Sequence, residues 1–156
     1  MPLYGAAVIE VRPATVDDLH LLLELARAFY DEDGFATSDA ALAQNFEVLL
    51  AADNAHIVLA AVDGAVAGFA LTTTAFILES GLVAELQDLY VAPVGRSRGV
   101  GTALIENAVS WARSRSAGLL EVVVAPNGQD VSHLFAFYRA RGFTDEGRQI
   151  LVRTLP

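Results

Sequence analysis

Apolar residues recur at two spacings along the chain, and each switch of spacing marks an element. Val8 to Arg12 reads as a short strand that Pro13 ends. Thr15 then opens a helix, with Asp17 and Asp18 in the first turn, where carboxylates favour the helix dipole. Leu19, Leu22, Leu23, Ala26 and Tyr30 fall at helical spacing, and Asp31-Glu32-Asp33-Gly34 closes that helix. Ser38 caps a second helix that runs to about Ala52. His56 to Val62 is β-like, Asp63-Gly64 is a hairpin turn, and Ala65 to Thr74 returns. After the turn Glu79-Ser80-Gly81, Glu85 to Val91 is a third antiparallel partner, broken off by Pro93 and Gly95. Thr102 to Arg115 is amphipathic, with Leu104, Ala108, Trp111 and Ala112 on one face. Leu119 to Val124 is a β-branched strand, followed by the breaking sequence Pro126-Asn127-Gly128. A last helix runs from about Val131 to Arg141 and ends at Gly142, and Gln149 to Thr154 alternates like a terminal strand.

The resulting order is β-α-α-β-β-β-α-β-α-β. Antiparallel hairpins followed by a βαβ crossover predict one mixed sheet covered by helices on both faces, an α/β (α+β) fold. With 156 residues, no repeat and no linker, residues 1–156 are expected to form a single domain.

Composition narrows the function classes. Ten basic residues against nineteen acidic ones give a formal net charge of −9, the opposite of what phosphate neutralisation needs, so no nucleic-acid partner is expected. Cationic small molecules suit that balance better. No Cys is present, which excludes acyl-cysteine intermediates, thiolate metal sites and disulfides. Every basic residue is Arg, which excludes Schiff-base lysine chemistry and the Walker-type phosphate lysine. Neither a signal peptide nor a membrane-spanning run is legible, and a soluble, cytoplasmic protein without a membrane partner is expected.

The segment from Leu86 to Thr102 is the most informative. A buried strand stops, a loop with Gly95, Gly99 and Gly101 follows, and a helix begins at once. The first turn of such a helix offers free backbone N–H groups and a positive dipole end, glycines let an anion approach closely, and Arg96 and Arg98 add charge. That suits a pyrophosphate, although a few glycines before a helix also serve purely structural ends. A dinucleotide fingerprint would need a small residue where Leu104 stands and a parallel strand pair before the loop; neither is present.

Arg96-x-x-Gly99-x-Gly101, preceded by Asp88-Leu89-Tyr90-Val91-x-Pro93, resembles the GNAT superfamily of acyl-CoA-dependent N-acetyltransferases. The stretch Ala136-Phe137-Tyr138-Arg139-Ala140-Arg141-Gly142-Phe143, with Asn127 before it, looks like that family's final helix, and the element order matches over nearly the whole chain. Ser97 departs from the family, which often has Gly there. The nearest pattern is that of small-molecule amine acetyltransferases acting on polyamines or aminoglycosides. The resemblance implies a GNAT-like sheet of about six to seven strands, splayed at the acyl-CoA site. It implies that Arg96, Ser97, Arg98, Gly99, Val100, Gly101 and Thr102 cradle the pyrophosphate of acetyl-CoA. Leu89 and Val91 would pair their backbone with the pantetheine arm, and Asn127 would help hold CoA.

Acetyl transfer to an amine needs a neutral nucleophile, a stabilised oxyanion and a protonated thiolate. An alkyl amine of pKa near 10.4 is neutral at pH 7 in only about four parts in ten thousand, a cost of about 4.6 kcal/mol, so a base or water relay must take its proton. Glu85 is the leading base by its position in the family pattern, against the alternative of a strand-end carboxylate in solvent. Asp88 and Gln87 occupy the stretch that faces the amine in polyamine-acetylating relatives, where Asp88 would anchor a second ammonium or relay a proton. Strict alternation puts Glu85 and Gln87 opposite to Asp88, so their roles depend on a bulge that sequence cannot place. Tyr138 is expected to protonate or stabilise the thiolate, the alternative being a core tyrosine on the face shared with Leu134, Phe137 and Arg141. The backbone N–H of Val91 would meet the oxyanion. Glu79 is placed at the acceptor mouth with Phe35 and Phe76 as apolar wall, while Asp31, Glu32 and Asp33 read as a solvated acidic face, with a place at that mouth as the alternative. His20, His56 and His133 lack ligand spacing, and no metal is demanded. The expected activity is acetylation of a primary amine on a small cationic molecule by direct attack in a ternary complex. A protein lysine or N-terminal acetyltransferase and a non-catalytic CoA-binding sensor are the alternatives, and a homodimer is left open.

Overall fold

The computed structural model describes residues 5–126 and 129–156. They fall into two compact units that part after Val123, with the sheet in the first and a single helix in the second.

The first unit runs β1 (Ile9–Pro13), a 3₁₀ turn (Val16–Asp18), α1 (Leu19–Asp33), α2 (Asp39–Ala51), β2 (Ala55–Val62), β3 (Ala65–Ile77), β4 (Gly81–Val91), a 3₁₀ turn (Pro93–Gly95), α3 (Val100–Ser114) and β5 (Leu120–Val122). The strands lie in the order β1-β2-β3-β4-β5, antiparallel except for the β4–β5 pair. The sheet is therefore mixed, as predicted, with five strands among the described residues rather than six to seven. The difference lies at the C-terminal end: Gln149 to Thr154 forms no strand, and residues 144–156 carry no regular secondary structure. Alternation fixes which face a segment would present, but a strand exists only where a neighbouring edge takes its N–H and C=O groups.

Local chemistry accounts for the boundaries. Asp63 (φ 49°) and Gly64 (φ 84°) both take the left-handed conformation that a two-residue hairpin turn requires. Ser38 accepts from the Ala41 N–H at 3.2 Å as the cap of α2. Asp18 ties β1 to α1: Oδ2 accepts from the Thr15 N–H at 2.8 Å, while the Arg12 guanidinium forks onto both carboxylate oxygens at 2.8 Å. That fork holds the Asp18 carboxyl well below the usual carboxylate range.

One face of the sheet packs under α1 and α2, where Leu22, Leu25, Ala26, Leu42 and Phe46 meet Ile57, Leu59, Phe69, Leu71 and Tyr90. The alternate strand residues, among them Val58, Ala70 and Leu86, are buried on the face that α3 covers with Val100, Leu104, Ile105 and Ala108. The β3–β4 hairpin extends past the predicted strand ends, so Phe76 and Leu78 are almost wholly exposed at its tip. Among the described residues no helix is long and apolar enough to cross a membrane.

In the second unit, α4 (Ser132–Arg139) ends through Gly142 at φ 92°, and the Phe143 N–H reaches back to the Tyr138 carbonyl at 3.2 Å. The Tyr138 ring meets Phe143 edge-on at 5.4 Å between centroids.

Candidate active site

The β3–β4 register slips once, between Leu71 and Thr72: Leu71 opposes Asp88 and Thr72 opposes Leu86, leaving Gln87 as the extra residue. This is the bulge on which the roles of the central strand depend. Directly opposed residues share a face, so Asp88 goes with Leu71 and Glu85 with Thr73, and the slip turns both carboxylates to the α1–α2 side. Gln87 joins them there through a 2.7 Å bond from Nε2 to the Thr73 hydroxyl. A regular strand would have sent Glu85 to the other face.

A cavity of about 370 Å³ opens beside the bulge, lined by residues of α1, α2, β3 and β4. Asp88 and Gln87 form its polar end, where the Tyr30 hydroxyl donates to Asp88 Oδ1 at 3.2 Å. Burial pushes the Asp88 carboxyl up, with the Tyr30 bond acting against that shift. Glu85 is also raised, first by burial and then by the charges of Glu121 and Asp88. Glu121 stands beside it in the parallel register of β5. Burial, followed by the charge of Asp88 and the bond to it, keeps the Tyr30 phenol protonated well above its ordinary range.

β5 pairs with β4 only over Ala84–Leu86. From Gln87 to Val91 that edge of β4 meets no strand among the described residues. The Ala92 N–H donates to Ala67 O on β3, so by alternation Leu89 and Val91 turn their N–H and C=O groups to the other edge. The carbonyl of Val91, on that outer side, accepts from Arg96 Nε at 3.0 Å.

The glycine loop follows immediately. Gly99 caps α3 at φ 90°, a conformation that suits glycine, and Ser97 stands at φ 60°, where the resembling family often has Gly. The first-turn N–H groups of Val100 and Gly101 have no intrahelical acceptor. Both loop arginines are engaged within the chain. Arg96 Nη2 donates to the two Glu32 oxygens at 2.9 and 2.7 Å, and Arg98 is paired with Asp63. Glu32 also accepts from the Tyr90 hydroxyl at 3.0 Å. It thus links the C-terminal end of α1 to the loop rather than standing in a solvated acidic face.

Other expected acceptor residues are not in the cavity lining. The Phe35 ring packs on Tyr30 at 5.3 Å, Phe76 is 81% exposed at the hairpin tip, and Glu79 is in the adjacent turn. Tyr138 belongs to the second unit, and Asn127 lies outside the described residues. Sequence reasoning missed the α2 wall (Leu42, Asn45, Phe46, Val48, Leu49) and Tyr30 as the partner of Asp88. Helical spacing marked Tyr30 only as a core position, and nothing in the sequence relates it to a residue 58 places on.

Residues 19–143 match the acetyltransferase (GNAT) family. The chain is 31% identical over 140 residues to an uncharacterized N-acetyltransferase of Methanocaldococcus jannaschii, a match covering 87% of this chain and 61% of that protein's length. It is 30% identical over 139 residues to an uncharacterized N-acetyltransferase of Archaeoglobus fulgidus, covering 86% and 88%. In fold it is similar to the aminoglycoside N-acetyltransferase AAC(6')-Iy solved in complex with CoA, at a TM-score of 0.83 and 22% identity, covering 97% of this chain and 98% of that one. The chain belongs to the GNAT family of acetyltransferases.

Proposed function

We propose that residues 1–156 work as one N-acetyltransferase domain that moves an acetyl group from acetyl-CoA to a primary amine of a small cationic molecule, by direct attack in a ternary complex. The relatives are N-acetyltransferases by name, and AAC(6')-Iy, a neighbour in fold, was solved with CoA. The observation that carries the reading is the bulge at Gln87, which sets Asp88 in the cavity lining, turns Glu85 to the same face of the sheet, and stands where the open edge of β4 begins.

Acetyl-CoA supplies the activated acyl thioester. The first-turn amides of α3, with Arg96 and Arg98 released from Glu32 and Asp63, fit a pyrophosphate. The outward backbone groups of Leu89 and Val91 fit an amide-bearing arm, and the Val91 N–H is the donor we assign to the carbonyl oxygen. Asp88 takes the proton of the ammonium and Glu85, on the same face, passes it towards solvent. A raised carboxyl is a better match for that work than an ordinary one. As the N–C bond forms and the C–S bond breaks, Tyr138 gives the departing thiolate its proton. The reaction asks for no metal. The same proposal assigns the reaction to the cytoplasm, carried out by a monomer or a homodimer.

Thiol release from acetyl-CoA should be saturable in amine. Tyr138→Phe should lower kcat by roughly ten- to a thousand-fold, within and somewhat below the range for general acids, with little change in Tm. No amine-dependent thiol release from the unaltered protein would leave a CoA-binding sensor as the better description.

A further inference from the structure

Resting on the acetyltransferase reading, we infer that the cavity beside Asp88 selects a primary amine with one positive charge on an apolar body, over polyamines and aminoglycosides. Its walls are hydrocarbon: Phe69 and Leu71 rise from β3, and Leu42, Phe46, Val48 and Leu49 face them from α2. Asp88 is the sole carboxylate in the lining, and the remaining polar groups are the neutral Tyr30, Asn45 and Gln87. One carboxylate at one end matches one ammonium.

The acidic surplus does not alter this. None of the acids on α1 and α2 lines the cavity: Glu32 is paired with Arg96, Asp31 and Asp39 both face Arg27, and Glu24, Asp33 and Glu47 lie outside the lining. Glu85, the remaining acid on the β4 face, lies three residues before Asp88 on the same strand and outside the cavity lining. A second ammonium carried into the apolar end would lose its hydration and gain no counter-charge. A methylene in the same place gains about 0.8 kcal/mol, or about fourfold in affinity. The volume, about 370 Å³, is towards the small end of ligand sites, suited to a compact body.

Hexylamine and hexamethylenediamine are equal in length and differ in what the distal end carries, so they discriminate directly. At saturating acetyl-CoA, kcat/KM for hexylamine should exceed that for the diamine by at least about tenfold, a lower bound for carrying an unmatched charge against apolar walls. It should also rise about three- to fourfold per methylene from propylamine to hexylamine. Val48, 65% exposed at the cavity mouth, tolerates a polar change, and Val48→Asp should narrow the gap by giving the diamine a second counter-charge. A diamine or aminoglycoside turned over as fast as hexylamine overturns the inference and leaves the acetyltransferase reading standing. Absence of thiol release with every amine overturns that reading instead. Calorimetric titration of the same protein with the two amines then still decides the cavity's preference, and equal or tighter binding of the diamine overturns the inference.

Discussion

Asp88 and Tyr30 show how a single contact tunes the proposed chemistry. Burial raises the Asp88 carboxyl and the Tyr30 hydroxyl lowers it again by donating to the charged form. Removing the donor leaves only the raising influence, so Tyr30→Phe should move the folded pKa of Asp88 upward. A base must be ionised to act, and a higher pKa leaves less carboxylate at a given acidic pH. The acid limb of the kcat/KM profile should therefore shift to higher pH in Tyr30→Phe. Activity on that limb should fall roughly two- to tenfold, the worth of one hydrogen bond. A limb that stays in place would mean that Asp88 does not report in the profile. None of this pairing was legible in sequence, because hydrophobic periodicity records which face a residue takes and not which residue it meets across the fold. The same limit applies to Glu32: between Asp31 and Asp33 it reads as part of a solvated run, and its contacts with Arg96 and Tyr90 join residues far apart in the chain.

Elements were legible where local chemistry decides them. The Asp63-Gly64 turn, the Ser38 cap and the Gly142 terminus all stand where turn and capping preferences put them. Two features were not: the bulge at Gln87 and the missing terminal strand. Both depend on how one strand meets another, and Gln87 differs in no local preference from a regular strand residue. At the start of α3, two glycines make unequal tests of the acyl-CoA seat. Gly99 sits at φ 90°, where valine is strained whatever it binds, so Gly99→Val confounds folding with affinity. Gly101 lies inside the helix and accepts an ordinary side chain by backbone conformation, while its N–H is one of those proposed to face the pyrophosphate. Gly101→Val should keep the helical circular dichroism and lose at least about tenfold in CoA affinity, a change of roughly 1.4 kcal/mol. Unchanged calorimetric affinity in the folded variant would move the seat elsewhere.

At the scale of the molecule, the net charge of −9 acts at a distance where the cavity acts by contact. Each carboxylate–arginine pair sums to zero charge, so the pairs leave the acidic surplus to set the overall field while fixing local geometry. A cationic amine should accordingly be drawn in faster than diffusion of a neutral molecule allows, and salt should cancel that advantage as the Debye length shrinks from about 10 Å at 0.1 M to about 3 Å at 1 M. The field decides how often an ammonium arrives, whereas the apolar walls decide whether its body stays. These effects separate experimentally, because added salt weakens the first and, if anything, strengthens the second. With acetyl-CoA saturating, kcat/KM for hexylamine should fall several-fold across that range, roughly the lower end of steering effects. The binding constant of hexanol, the same body without the charge, should hold or tighten. If amine and alcohol respond to salt alike, the charge of the chain plays no part in acceptor capture, and selection rests on the cavity alone.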